Sequence, residues 1–174
     1  MITIIDDKIK YLSQDSYDNF IDRINIHQLS CTCDKKGNLI KHGWYFRSVK
    51  TPNGLVRLKI LRVFCKLCKK THAIVPAEIV PCSQTQLCDH VKIIKAYHSK
   101  ESYEPIMENN QSVDESNIRY IVRKYVRYWK ERLASVKSSV FDEIADLVTQ
   151  CLLKFDRQFM QIKSTANILF VKPT

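Results

Sequence analysis

Apolar and polar residues alternate with two different periods along this chain, beginning with a mixed segment at residues 1–30. A short apolar run, "ITII", opens this segment and predicts a small strand. Four apolar residues then recur at helical spacing: Tyr17, Phe20, Ile21 and Ile24. The segment is therefore predicted to hold one short strand and one short helix.

The period of a β-strand dominates from Leu39 to Phe64. Two runs rich in β-branched and aromatic residues, "LIKHGWYFRSVK" and "LVRLKILRVF", flank Pro-Asn-Gly at 52–54. Asn-Gly favours a tight hairpin turn because both residues tolerate positive φ. The second run alternates three apolar residues with two cations: Val56, Leu58 and Ile60 with Arg57 and Lys59. This alternation predicts a hairpin strand with one packed face and one basic face.

After Pro81 the apolar spacing becomes helical. Ser83 and Gln86 fit a capping box for a helix that runs to about Tyr97, and a shorter helix is predicted near residues 102–109. The stretch "AIVPAEIVP" before these helices is predicted to be an apolar strap that joins the hairpin to them.

A longer helix is predicted to begin at a second capping box, Ser112 with Glu115, and to end near Val136. Its apolar residues form one stripe: Ile118, Ile121, Val122, Tyr125, Trp129 and Leu133. A last helix is predicted over about residues 139–162, so the second half of the chain is expected to be helical.

Positive charge is concentrated in one part of the 174-residue chain, whose net charge is +10. Residues 31–80 carry eleven Lys and Arg against two acids, whereas the segments before and after them are close to neutral. Such a segment attracts polyanions, with nucleic acid the first candidate. No apolar run reaches the roughly eighteen residues of a membrane span, and no signal-peptide pattern is present, so a cytoplasmic protein is expected.

The cysteines predict a metal site. Seven cysteines without an export signal favour metal ligands and reduced thiols over disulfides. Cys31 and Cys33 precede the predicted hairpin, and Cys65 and Cys68 follow it. A zinc ribbon brings two such pairs together, because tetrahedral zinc needs four thiolates at about 2.3 Å. We therefore predict a structural zinc at these four residues, with no open position for catalysis.

One ligand of this predicted site is left open. The Cys-x-Cys spacing of the first pair is tighter than the usual Cys-x-x-Cys, so one of Cys31 and Cys33 can point away. His42 or His72 would then complete the site, although a hydrogen-bonded structural role is the alternative for each histidine. The three remaining cysteines are predicted to be buried thiols: Cys82, Cys88 and Cys151.

A second candidate surface lies on the longer predicted helix. Projection at about 100° per residue places four cations on one ridge beside the apolar stripe: Arg119, Arg123, Arg127 and Lys130. With the shorter helix before it, this ridge predicts a helix-turn-helix; the alternative is an amphipathic helix with its cations in water. The residues expected nearest base edges are Asn117, Arg119, Tyr120 and Arg123. Six hairpin cations complete the predicted nucleic-acid surface: Lys41, Arg47, Lys50, Arg57, Lys59 and Arg62.

Two stretches carry a family resemblance. "CDKKGNLIKHGWYFRSVKTPNGLVRLKILRVFCKLCKKTHAIVPAEIVP" and "SNIRYIVRKYVRYWKERL" resemble the N-terminal region of bacterial insertion-sequence transposases. They are also similar to stand-alone, uncharacterised Firmicutes and phage proteins in which a transposase-like zinc ribbon precedes a helix-turn-helix. That family usually begins its ribbon with Cys-Pro-x-Cys, whereas this chain has Ser-Cys-Thr-Cys at 30–33. The resemblance implies DNA binding and a structural zinc.

These patterns predict an α+β fold, in which a small zinc-ribbon β-hairpin module is followed by an all-α helix-turn-helix bundle with a long C-terminal helix. The expected segments are a strand and helix at 1–30, a zinc-ribbon-like domain at 31–80, a helix-turn-helix-like domain at 81–137, and a C-terminal helix and tail at 138–174.

The expected function is binding, not catalysis. The chain has no Gly-rich phosphate loop, no G-x-S-x-G and no H-E-x-x-H, and the residues after Lys137 are too few for a transposase catalytic domain. We expect a zinc-stabilised protein of mobile-element or phage type that binds double-stranded DNA as a regulator, with homodimerisation left open. The alternative is a phage or mobile-element protein that binds and inhibits a host nucleic-acid enzyme, an anti-defence role.

Overall fold

The computed structural model describes residues 1–129 except 5, 7, 10, 32, 34–36 and 81. The strands are β1 (Ile2–Ile4), β2 (Leu39–Thr51), β3 (Gly54–Cys65) and β4 (Thr71–Pro76). The α-helices are α1 (Gln14–Asp22), α2 (Leu87–Ser99), α3 (Glu104–Asn109) and α4 (Glu115–Lys124). A 3₁₀ turn at Ile26–Gln28 precedes β2, and a π-helical turn at Tyr125–Trp129 continues α4.

The four strands form one mixed sheet in the order β1-β4-β3-β2. β1 is parallel to β4, and the other two pairings are antiparallel. This sheet corrects the predicted fold class, in which a two-stranded ribbon led into an all-α helix-turn-helix bundle. α1 lies between β1 and β2 along the chain and α2, α3 and α4 follow the sheet, and no such bundle is evident in the residues that the structure describes.

The predicted apolar strap contains the strand that was missed. Its residues Ile74 and Val75 are fully buried in β4, which lies between β1 and β3. A strand that is buried on both faces has an apolar sequence throughout. It therefore lacks the alternation of apolar and polar residues that revealed the hairpin. β1 pairs Ile2 with Ile74, a contact that local pattern cannot predict.

The predicted hairpin turn is confirmed, but only one of the two residues expected to have positive φ does so. Thr51 pairs with Gly54, so Pro52 and Asn53 are the two central residues of the turn. Gly54 has φ +106°, whereas Asn53 is not among the residues with positive φ. Proline suits the first central position of a turn and glycine the residue that follows the second. Only the glycine of the predicted Asn-Gly pair therefore uses its conformational freedom.

The first helix packs against the sheet through three of the four residues that its spacing predicts, whereas Ile24 lies beyond the end of the helix. Tyr17, Phe20 and Ile21 of α1 are buried. The helix begins at a capping box in which Ser13 and Ser16 exchange side-chain and backbone hydrogen bonds. The Tyr17 hydroxyl accepts from the Leu61 N–H and donates to the Ile74 carbonyl, at 2.9 Å each.

α2 begins later than predicted. Its first residue is Leu87, and Gln86 lies at the N-cap without a side-chain hydrogen bond. Ser83 forms no capping box, because its hydroxyl is 2.9 Å from Nε2 of His90 and accepts from the Thr85 N–H. The apolar stripe of the longer helix is confirmed over the part described, since Ile118 and Ile121 are buried against α2 and α3.

α4 is capped by Asp114 instead of by the predicted Ser112. The Asp114 carboxylate accepts from the Asn117 N–H at 2.9 Å, and the Asn117 side chain accepts from the Asp114 N–H. Hydrogen bonds from the Ser116 hydroxyl, and then from the Asn117 N–H, lower the pKa of Asp114 to about 2. The ionised carboxylate is thus the helix cap at neutral pH.

This cap gives a direct prediction. Asp114→Ala is expected to lower the free energy of unfolding by about 1–2 kcal/mol, because it leaves helix N–H groups without an acceptor. Ser112→Ala serves as the matched control and is expected to change it by less than about 0.5 kcal/mol. Urea unfolding followed by circular dichroism measures both; an equal loss in the two variants would contradict the assignment of the cap.

Several predictions lie outside the described residues. They are the last helix at 139–162, Leu133 in the apolar stripe, Lys130 and Cys151. Within the described part of the chain, no helix is both long and apolar enough to cross a membrane.

Candidate metal centre and basic surface

The two cysteine pairs meet at the end of the hairpin away from its turn. Cys31, Cys33, Cys65 and Cys68 place all four sulfur atoms within 4.8 Å of one another. The sulfurs of Cys31 and Cys68 are 3.4 Å apart, and those of Cys33 and Cys65 are 3.8 Å apart. Tetrahedral coordination at about 2.3 Å separates thiolates by about 3.8 Å. The four residues therefore fit a metal ion, and none of these four cysteines forms a disulfide.

A tight turn after β3 positions the second pair. Cys65 is the last residue of β3, its carbonyl accepts from the Lys69 N–H, and its N–H donates to the Lys70 carbonyl. Lys69 takes positive φ, which folds the chain back beside the thiols. The N–H groups of Cys68 and then Leu67 lower the pKa of Cys65 to about 6, despite its burial. The turn therefore stabilises a thiolate.

The thiol of Cys68, in contrast, has a raised pKa. The N–H of Lys70 favours the Cys68 thiolate, but burial and the sulfurs of the other cysteines outweigh it and raise the pKa of Cys68 to about 11. Thiolates this close repel one another unless a cation lies between them. The close approach of the four sulfurs is therefore what a site for a metal cation requires.

His72 touches the cluster without replacing a ligand. Its Nε2 lies 3.2 Å from the Cys31 sulfur, and its Nδ1 lies 3.2 Å from the Met1 amino group. Burial, and next the positive amino group, lower the pKa of His72. An ammonium group can only donate, so a neutral His72 accepts at Nδ1 and donates from Nε2 to sulfur. His42 stacks on Phe64 at 5.4 Å between ring centroids.

The prediction of buried thiols elsewhere is wrong for the two residues that lie in the described part of the chain. Cys82 and Cys88 are both exposed. Cys82 has positive φ in the turn before α2, and Cys88 lies in the first turn of that helix. Neither contributes to the group of potential metal ligands.

The fold and the cluster define a small α+β protein with a four-cysteine cluster that could hold a metal ion. Residues 30–119, just over half of the chain, match the family described as a domain of unknown function (DUF6431). The chain belongs to that family, whose match covers the cysteine cluster, the hairpin and the first helices after it. No curated protein and no solved structure matches the chain.

The hairpin cations divide into two groups. Four are exposed along the strands: Lys41, Arg57, Lys59 and Arg62. Arg47 instead donates to the carbonyls of Val80 and Ser83, and the Lys50 ammonium donates to Asn117 at 2.7 Å. Lys50 also forms an ion pair with Asp114. Arg47 and Lys50 therefore attach the hairpin to the helical part.

The predicted helix residues are likewise divided. Asn117 takes part in the helix cap, and Arg119 forms an exposed ion pair with Glu115 at 3.2 Å. The Tyr120 hydroxyl donates to the Cys82 carbonyl. Arg123 and Arg127 line a groove together with Arg119, so the predicted ridge borders an apolar depression.

Two exposed rings on the hairpin were missed by sequence reasoning. Trp44 and Phe46 are 43% and 59% exposed. Arg57 lies 4.4 Å from the centroid of the Phe46 ring, and Lys59 lies 5.3 Å from that of Trp44. The signal was available: Phe46 and Trp44 are two residues apart, as are Arg57 and Lys59, so each pair lies on one face of its strand.

Proposed function

We propose that this chain is a zinc-stabilised nucleic-acid-binding protein that contacts DNA through the exposed cations of its hairpin. The observation that carries the proposal is the charge of that hairpin. Between Asp34 and Glu78 the sequence has eleven Lys and Arg and no acid. Four of these cations are exposed along β2 and β3. Without acidic neighbours in sequence to neutralise them, they provide a surface for phosphates.

Zinc is the metal that we propose for the cysteine cluster. Four thiolates in tetrahedral geometry suit zinc or iron, and closed four-cysteine sites in small domains are commonly structural zinc sites. Bound there, zinc would supply a cross-link between the loop before β2 and the turn after β3. The protein's own residues do the binding, and four thiolates leave no coordination position for substrate. We therefore propose a binding protein and not an enzyme.

The biological setting rests on sequence resemblance. The likeness to the N-terminal region of insertion-sequence transposases supports a mobile-element or phage protein, and the lack of recognisable catalytic motifs supports a regulatory role. This setting is a proposal that accompanies the DNA-binding function and does not depend on how the helices are arranged.

A second candidate function is protein binding at the groove beside α4. This groove, about 520 Å³ in volume, is lined by apolar side chains and three arginines. Its apolar lining consists of Tyr97, Tyr103, Ile118, Val122 and Val126. A groove that combines apolar and basic residues suits an acidic amphipathic segment. Such a segment on a host nucleic-acid enzyme would be the target that this chain inhibits. Retention of one protein partner after nuclease treatment, together with weak DNA affinity, would favour this candidate.

Salt dependence of DNA affinity tests the first proposal. If the four exposed hairpin cations each neutralise a phosphate, log K for duplex DNA should fall with log salt at a slope of about −3.6. Arg57→Gln/Lys59→Gln should reduce that slope in magnitude by about 1.8 and weaken binding to all sequences. Fluorescence anisotropy of labelled DNA, measured from low to moderate salt, provides both values.

The control variant removes the same charge elsewhere. Lys8 and Lys92 are exposed and lie outside the hairpin, so Lys8→Gln/Lys92→Gln should leave the slope unchanged. Equal effects of the two double variants would show that binding depends on net charge and not on the hairpin. A lack of measurable affinity for any nucleic acid at low salt would overturn the proposed function.

A further inference from the structure

One face of the hairpin carries two exposed aromatic rings and two cations. Phe46 pairs directly with Lys59, and direct partners in an antiparallel pair share a face. Trp44 lies two residues before Phe46, and Arg57 two residues before Lys59, so both lie on that face too. We name it the tip face, and its residues are Trp44, Phe46, Leu55, Arg57 and Lys59.

The same alternation in β3 changes from exposed to buried along the strand. Leu55, Arg57 and Lys59 near the turn are exposed, whereas Leu61, Val63 and Cys65 near the metal cluster are buried. One end of this strand is thus part of the core, and the other end carries the tip face. The four cysteines lie at the buried end.

Exposure of the apolar residues on the tip face is high. Leu55 is 62% exposed, in addition to the two rings. Contiguous exposed apolar residues indicate a binding surface. Each ring is already paired with a cation, Phe46 with Arg57 and Trp44 with Lys59. A ligand for this face must therefore offer flat apolar groups and negative charges at close spacing.

Single-stranded nucleic acid meets both requirements. Its phosphates match the cations, and its unpaired bases can stack on aromatic rings. Rings two residues apart in a strand are about 7 Å from each other, which is twice the rise of about 3.4 Å between stacked bases in a duplex. Two bases can therefore each stack on one ring only if the nucleic-acid strand is unstacked. A duplex keeps its bases stacked and cannot bind in this way.

We propose that the tip face is a stacking site for unpaired bases, with Trp44 and Phe46 each taking one base while Arg57 and Lys59 contact the neighbouring phosphates. The inference rests on the proposed nucleic-acid-binding function and adds a preference of the tip face for single-stranded DNA or RNA. Stacking is tolerant of sequence, because every base has a flat face.

The experiment compares strands with and without accessible bases. Oligothymidylate, oligouridylate and the duplex of oligothymidylate with oligoadenylate are titrated against the full chain. Trp44→Ala/Phe46→Ala should weaken binding of a single strand by about a hundredfold, and binding of the duplex by less than about threefold. Trp44→Phe/Phe46→Trp keeps both rings and should retain affinity within about threefold. The two single strands decide between DNA and RNA as the preferred ligand.

A spectroscopic measurement tests stacking without relying on the alanine variant, which could misfold. The fluorescence of Trp44 should be quenched when oligothymidylate stacks on its ring. The Trp44→Phe variant should lose that quenching and keep its affinity for oligothymidylate. Tyr11 is 78% exposed and lies outside the tip face, so Tyr11→Ala should change neither quenching nor affinity.

The outcomes separate the two proposals. Binding of duplex and single strand with equal affinity, unaffected by Trp44→Ala/Phe46→Ala, would overturn the stacking site and leave the proposed function intact. No binding of any nucleic acid would overturn both. If the alanine variant instead loses only a protein partner or binding to anionic vesicles, the tip face serves another ligand and the inference is wrong.

Discussion

Replacement of both Cys65 and Cys68 by serine is expected to release the metal and unfold the sheet. Structural zinc in small domains contributes about 10–16 kcal/mol of binding free energy near neutral pH, whereas typical domains are stable by only about 5–15 kcal/mol. Loss of two of the four ligands therefore removes a free energy comparable to the entire stability of the domain. Metal content should fall from about one ion per chain to near zero, and the cooperative thermal transition of the sheet should disappear.

A matched control is available in the same chain. Cys88 is exposed and takes no part in the cluster, so Cys88→Ser should keep the metal and the thermal transition. Elemental analysis of both variants identifies the metal, and absorption in the visible range would indicate iron in place of zinc. A double variant that retains the metal would refute the proposed site.

Tyr17→Phe is expected to have the second-largest effect, a loss of about 3 kcal/mol in the free energy of unfolding. The hydroxyl bridges the N–H of Leu61 on β3 and the carbonyl of Ile74 on β4, just beyond the pairing of Arg62 with Ala73. Burial raises the pKa of Tyr17, so the hydroxyl stays protonated and can donate. Its removal leaves two buried backbone groups without this partner, at about 1–3 kcal/mol each.

Thermal unfolding provides the measurement for this variant. A loss of about 3 kcal/mol corresponds to a fall in Tm of about 6–12 °C for a chain of this length. Tyr11→Phe removes the same atom from an exposed ring and should leave Tm within about 2 °C. A Tyr17→Phe variant as stable as this control would mean that water or a shift of the strands satisfies both backbone groups.

The parts of the fold that local pattern encodes were predictable. Alternation between Leu58 and Arg57 revealed the hairpin, and helical spacing around Tyr17 and Ile121 revealed α1 and α4. β4 was missed because an apolar run that ends at Pro76 has no period to distinguish a buried strand from a linker. The parallel pairing of β1 with it depends on residues more than seventy positions apart.

The metal cluster was predictable for a similar reason. A hairpin brings the segments before and after it together, so two cysteine pairs at its ends must lie near each other. The choice between Cys31 and His72 was not predictable, since both are within reach and only the folded chain shows that all four sulfurs converge. The internal roles of Arg47 and Lys50 required contacts with helices whose position the sequence did not indicate.

The parallel pairing of β1 has a consequence for the order of events during synthesis. Ile2 is synthesised well before Ile74, its partner residue in the sheet, so β1 has no strand to pair with until Ile74 has emerged. All four cysteines are made before β4 is complete, so metal capture can occur first and would shorten the loop that must close. Because closure of a long loop costs entropy and slows folding, a metal bound at this stage would make its supply during translation a determinant of how fast the nascent chain matures.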